Sequence, residues 1–246
     1  MLLSQIVDSH GNCAVVVRNG SEAGVLKGVS STYQLVMDAI RRGQSLAERI
    51  RAHELGPAVD LDKLAEDGRL LLPLHHPDPA HMHLTGTGLT HLGSAATRDA
   101  MHAKAEDEET QLTDSMKMFR MGVENGKPAN GHAGVQPEWF YKGNGTSAVA
   151  PGGDQVSPGF CDDGGEEPEI AGIYVIGPDG TPNRVGFALA NEFSDHVMER
   201  QNYLYLAHSK LRPASYGPEL RVGDLPDHVE GTSRIIRDGA LLWETP

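Results

Sequence analysis

With 246 residues the chain can bury a sizeable core as one large domain or two small ones, and its 21 Lys and Arg against 34 Asp and Glu give a net charge of −13. That balance opposes nucleic acid and anionic membrane surfaces as partners, and a small anionic substrate would need a local cation. Two cysteines, Cys13 and Cys161, are too few for a disulfide framework, and no apolar run has membrane-spanning length or resembles a secretion signal, so a soluble cytoplasmic protein is expected.

The 29 Gly and 15 Pro imply many turns, which favours a strand-rich architecture over a helical bundle. Cys13 to Arg18 reads as an apolar strand, and Ser30 or Ser31 caps a helix reaching roughly His53, with Leu35, Ile40, Leu46 and Ile50 near helical spacing. Val59 to Glu66 predicts a short second helix, and Arg69 to Leu74 a strand ended by His75-His76-Pro77-Asp78-Pro79. Residues 1–80 are therefore expected to form a small N-terminal α/β unit, with 81–246 as the second part. His75 and His76 are adjacent, would face opposite sides of a strand, and are read as surface or linker residues.

Leu84 to Gly93 is a Gly-punctuated strand end and loop with neither the Walker spacing nor the dinucleotide fingerprint. His91 within it is either a proton-transfer residue or an ordinary loop histidine. Thr97 to Met121 predicts a charged, Met-rich helix with a solvated face. Trp139-Phe140-Tyr141-Lys142 follows as an aromatic strand whose lysine, at a strand-to-loop junction, can hold an anion or snorkel to water.

The most informative stretch is Gly165 to Gly177, acidic at its start and then apolar and β-branched. Side chains two apart in a strand share a face, so Glu167 and Glu169 point the same way and repel unless a cation lies between them. Pro178 to Pro182 is turn chemistry and Arg184 to Ala190 a return strand, which makes a hairpin. Centred between Gly180 and Thr181 and without a bulge, it places Glu192 opposite Glu169. Three carboxylates with no Cys or paired His beside them favour Mg²⁺, Mn²⁺ or Ca²⁺ over Zn²⁺. The competing reading is a solvated acidic strand end, and the apolar run directly after Glu169 weighs against it. Phe193 to Leu206 then predicts a helix beside this strand, Arg221 to Pro226 a turn, and Ser233 to Arg237 with Ala240 to Trp243 a hairpin turning at Asp238-Gly239.

In order, Phe140-Tyr141-Lys142, Glu167-Pro168-Glu169 running into Ile176-Gly177, Gly186 to Ser194 with Glu192, and later Lys210 and Gly217-Pro218 resemble the fumarylacetoacetate hydrolase superfamily over about residues 84 to 240. Thr85 to His91 and Tyr203 to Arg212 resemble its bacterial branch linked to L-arabinose and sugar-acid catabolism. The resemblance implies an α+β, β-rich fold in which 81–246 is a catalytic domain with a mixed β core, ending before the closing strands of the family. It also implies a homodimer and a 2-oxo acid substrate bound through a divalent cation, Mg²⁺ or alternatively Mn²⁺ or Ca²⁺, held by Glu167, Glu169 and Glu192. Lys142, Lys210 and His91 would be catalytic, with Tyr141, His196 and Gln201 toward the substrate.

Besides the early end, two departures from the family stand out, Glu192 for a usual Asp and His196 for an Arg, and an alignment on Gly88-Leu89 places Ser94 where a His often stands in the family. The last favours dehydration of a 2-keto-3-deoxy-pentonate, through an enolate formed by proton loss at C3, over hydrolysis of a carbon–carbon bond in a 2,4-diketo acid. The rival classes are a non-catalytic binding protein with this fold and a β domain whose ion is structural.

Overall fold

The computed structural model describes residues 1–87, 114–126, 132, 134–135 and 139–245. The expected loop with His91 and Ser94, and most of the expected Thr97 to Met121 helix, lie outside the described residues.

Strands β1 (Leu2–Val7), β2 (Cys13–Asn19) and β3 (Glu22–Leu26) form an antiparallel meander in which Leu2 pairs with Arg18 and Val7 with Cys13. Both faces of β1 and β2 are covered, which is why Ala14-Val15-Val16-Val17 is a continuous apolar run rather than an alternating one. Leu3, Val15 and Val17 join one core cluster, and Ile6, Ala14 and Val16 join the other. The first cluster is roofed by helices α1 (Thr32–Arg41) and α2 (Leu46–Arg51) through Leu35, Val36 and Ile50. Sequence reading expected one helix from Ser30 or Ser31 to His53. The structure breaks it at Gly43, whose φ of 62° is left-handed, and restarts it with a capping box between Ser45 and Glu48.

Strand β4 (Leu55–Ala58) extends the sheet beyond β3, and α3 (Leu61–Glu66), capped by Asp60, covers the second cluster with Leu64. Only Leu70–Leu71 of the expected Arg69 to Leu74 segment is a strand, β5, on an edge of β1. The buried Gln5 side chain ties these parts together: Oε1 accepts from Thr32 N at 2.8 Å, and Nε2 donates to Leu72 O at 2.7 Å.

Strand β6 (His83–Thr87), helix α4 (Asp114–Asn125) and strand β7 (Trp139–Asn144) follow, with β6 and β7 forming a separate two-stranded sheet. The remaining strands are β8 (Ala148–Val149), β9 (Pro168–Ile176), β10 (Pro182–Asn191), β11 (Ala214–Tyr216), β12 (Leu220–Val222), β13 (Ser233–Arg237) and β14 (Ala240–Thr245). Helices α5 (His196–Gln201) and α6 (Leu206–Ser209) lie between β10 and β11. The large sheet runs β4-β3-β2-β1-β12-β10-β11-β8, with β9 on the other edge of β10. Strand β12 occupies the start of the expected Arg221 to Pro226 turn and joins β1 to β10, so one mixed sheet passes through both parts of the chain. The expected C-terminal hairpin is β13–β14, with Asp238 and Gly239 at φ of 51° and 76°.

The β9–β10 register differs from the sequence reading. Near the turn Pro182 pairs with Ile176 and Arg184 with Tyr174; Val185 then bulges, and beyond it Gly186 pairs with Ile173 and Ala190 with Glu169. Glu192 therefore lies across from Glu167, its N–H donating to Glu167 O at 2.9 Å, and not across from Glu169. Without the bulge, Asn191 would share a face with Glu167 and Glu169, and Glu192 would turn to the other side. Gly186 is required at the bulge because β12 crosses against it: an added Cβ would fall 1.9 Å from Arg221 O. We expect Gly186→Ala to lower unfolding free energy by about 1–3 kcal/mol in urea melts, the range for overpacking a tight contact.

Candidate metal centre

Glu167 and Glu169 are brought together by strand periodicity, and Glu192 joins them through the bulged register. One carboxylate oxygen from each lies within 4.8 Å of the others. Beneath them are two buried lysines. Lys210, 1% exposed, donates from Nζ to Glu167 Oε1 at 2.6 Å and Oε2 at 2.7 Å, and lies 3.4 Å from Glu192 Oε1. Its ammonium also sits 5.3 Å over the Phe140 ring. Lys142 donates to Phe193 O at 2.5 Å and Lys210 O at 3.1 Å, joining the segments that carry Glu192 and Lys210.

The charges have divergent environments. Burial raises the Glu167 carboxyl, but the His196 hydrogen bond and the Lys210 charge and hydrogen bonds outweigh it and hold Glu167 down at about 2. Glu192 is pushed up to about 7, chiefly by burial, with Glu167 and Glu169 adding to the rise against Lys210 and Lys142. Burial also pushes Lys142 down to about 8, whereas Lys210 is raised because Glu167 and Glu192 overcome the effect of burial.

Glu192 Oε1 is buried and makes no hydrogen bond. An acceptor met only by the Lys210 charge at 3.4 Å, on one of three carboxylates whose oxygens lie within 4.8 Å, matches what an oxygen-preferring divalent cation supplies, so the donor set fits such an ion.

The walls are built for close approach. Gly86 on β6 is buried against the site, and an added Cβ would lie 2.2 Å from Phe140 Cζ and 2.8 Å from Glu192 Oε2. His196, the first residue of α5, bonds Glu167 Oε1 through Nε2 at 2.8 Å. The other expected substrate residues are placed elsewhere. Tyr141 faces the opposite side of β7 from Phe140 and Lys142, as neighbours on a strand must, and packs edge-on against His83. Gln201 is exposed and donates to Asp162 Oδ2 at 3.1 Å.

Sequence reading missed the buried support of this wall. Asp195 caps α5 by accepting from Met198 N at 2.8 Å, accepts from Asp162 N at 2.9 Å, and pairs with fully buried Arg212 at 3.1 Å. An Asp directly before a helical run was a signal for the cap; nothing local marked Arg212.

No protein-family model and no curated protein sequence matches the chain. Solved structures do. A 2-keto-3-deoxy-D-arabinonate dehydratase complexed with magnesium and 2,5-dioxopentanoate aligns with a TM-score of 0.67 at 18% identity, over 100% of this chain and 75% of that one. The fold is that of the fumarylacetoacetate hydrolases. A 5-carboxymethyl-2-hydroxymuconate delta-isomerase from Mycobacterium smegmatis aligns at TM-score 0.51 and 16% identity, and a fumarylacetoacetate hydrolase from Exiguobacterium antarcticum at 0.50 and 13%, each over 100% of this chain and 75% of the other. Within the fumarylacetoacetate hydrolase fold of this chain, the carboxylate cluster is formed by the β9–β10 hairpin and Lys210 comes from the end of α6. No helix among the described residues is long and apolar enough to cross a membrane.

The raised Glu192 carboxyl sets a pH dependence. A carboxyl with a folded pKa near 7 and an ordinary value near 4.5 stabilises the metal-free protein below about pH 4.5, and that contribution is lost as pH rises through about 7. A cation taking the place of the proton restores it. We expect the melting-temperature difference between Mg²⁺ and EDTA samples to be small near pH 5 and larger near pH 8, read by differential scanning fluorimetry.

Proposed function

We propose that the chain is a divalent-cation-dependent enzyme of the fumarylacetoacetate hydrolase superfamily that acts on a 2-oxo sugar acid, removing water from a 2-keto-3-deoxy-pentonate of the arabinonate type. The observation that carries this reading is the convergence of Glu167, Glu169 and Glu192 within 4.8 Å, with a buried Glu192 oxygen that makes no hydrogen bond, beside two buried lysines. The likeness of fold to an arabinonate dehydratase crystallised with magnesium and 2,5-dioxopentanoate supports the choice of substrate class. In this reading residues 1–80 are scaffold, 81–246 carry the chemistry, and the protein works as a cytoplasmic homodimer.

Glu167, Glu169 and Glu192 would hold the ion, for which Mg²⁺ is the first choice. When bound, the cation polarises the carboxylate and 2-oxo oxygens of a substrate, which makes the C3 proton easier to remove. The residues of the chain then divide the remaining work. Lys210 stays charged against Glu167 and supplies fixed positive charge to an anionic substrate. Lys142, pushed down to about 8 chiefly by burial, is the amine able to release and regain a proton at Nζ near neutral pH. Phe140 and Gly86 close the wall, with the Phe140 ring covering Lys210. Loss of the C3 proton and the C4 hydroxyl as water leaves a C3–C4 double bond conjugated with the 2-oxo group. Removal of a C5 proton and return of a proton to C3 shift it to C4–C5, and the enol formed there becomes an aldehyde by gaining a proton at C4 as its hydroxyl proton leaves, so the product expected is 2,5-dioxopentanoate.

Proton NMR of mixtures containing 2-keto-3-deoxy-arabinonate should show that product, with a 2,4-diketo acid left uncleaved. Cleavage of the diketo acid with the sugar acid untouched would instead assign a carbon–carbon hydrolase. Glu169→Gln should abolish turnover with an unchanged circular dichroism spectrum, and wild-type rates in that variant would reject the reading.

A further inference from the structure

We infer that His196 determines which divalent cation the centre accepts, by limiting how Glu167 can bind; the inference rests on the metal-binding reading above. A carboxylate has about four acceptor positions, two on each oxygen. On Glu167, Oε1 accepts from Lys210 Nζ at 2.6 Å and from His196 Nε2 at 2.8 Å, which uses both of its positions. Oε2 accepts from Lys210 at 2.7 Å and keeps one. A carboxylate can only accept here, so Nε2 of His196 carries the proton. Glu167 is thereby left with one oxygen to offer an ion. Lys210 alone would not have this effect, because its two bonds leave one position on each oxygen and still permit attachment through both.

This restriction discriminates between ions. Ca²⁺ gathers about 6–8 oxygens and commonly takes carboxylates through both oxygens, whereas Mg²⁺ takes six at shorter range, keeps several waters and uses carboxylates singly. A centre in which Glu167 is confined to one oxygen suits Mg²⁺ or Mn²⁺.

His196 is held in place for the task from three sides. Gly165 packs so closely that an added Cβ would fall 2.3 Å from Nδ1, Asp163 Oδ2 lies 4.0 Å from the same nitrogen, and Asp195 fixes the backbone by capping α5. His196 is thus a positioning residue that acts through Glu167.

The test is isothermal titration of the metal-free full chain with MgCl₂, MnCl₂ and CaCl₂ in the absence of substrate. Wild type should bind Mg²⁺ and Mn²⁺ more tightly than Ca²⁺. His196→Leu, which removes the donor and keeps bulk against Gly165, should raise the ratio of Ca²⁺ to Mg²⁺ affinity by about tenfold or more, the scale on which such outer partners act. His196→Gln, which restores an N–H at similar reach, should return the ratio toward wild type. If His196→Leu does not melt cooperatively, His196→Asn, too short to reach Glu167, takes its place with the same expectation. An unchanged ratio in a folded variant that still binds Mg²⁺ overturns the inference and leaves the metal centre standing. Failure of wild type to bind any of the three ions overturns both.

Discussion

Glu167, Glu169 and Glu192, the first and last largely shielded from water and Glu169 exposed, lie close enough to repel one another, and the surrounding structure is arranged to relieve that repulsion without separating them. Lys210 neutralises Glu167 from below, His196 adds a second donor, and burial pushes the Glu192 carboxyl up to about 7 against the Lys210 charge 3.4 Å away. The lysines cannot complete the neutralisation, since Lys142 spends its hydrogen bonds on two carbonyl groups. The remaining negative charge is what gives the cluster its affinity for an added cation.

The scaffold provides this arrangement through backbone geometry. Glu167 and Glu169 share a face because strands alternate, a property of the sequence alone. Glu192 joins them only because Val185 is accommodated as a bulge, and the bulge exists where Gly186 lets β12 pass. The same crossing strand pairs with β1 and so connects the hairpin to the deeply buried meander, where Leu3 and Leu220 are fully buried. A rigid core on one side of the sheet thus fixes the positions of charged groups on the hairpin.

Much of the site was legible in the sequence. The Glu-x-Glu strand running into apolar residues, the turn at Asp179-Gly180 and the aromatic strand ending in Lys142 are local patterns whose physical meaning does not depend on distant residues. The expected pairing of Glu192 with Glu169 failed by two residues, yet the face survived, because an even displacement along a strand preserves side-chain orientation. What escaped was non-local. Arg212 has no periodic or motif signal, and its burial against Asp195 depends on the path of the chain from α5 through α6. Tyr141, which the resemblance implies for the substrate, lies on the opposite face of β7 from Lys142 because neighbours on a strand alternate.

Lys142 joins the carbonyl group immediately after Glu192 to the carbonyl group of Lys210, so one ammonium sets the spacing between an ion-facing carboxylate and its counter-charge. A side chain that belongs to no carboxylate pair thus decides how far the acid stands from its counter-ion, and loss of that one ammonium would uncouple the two segments.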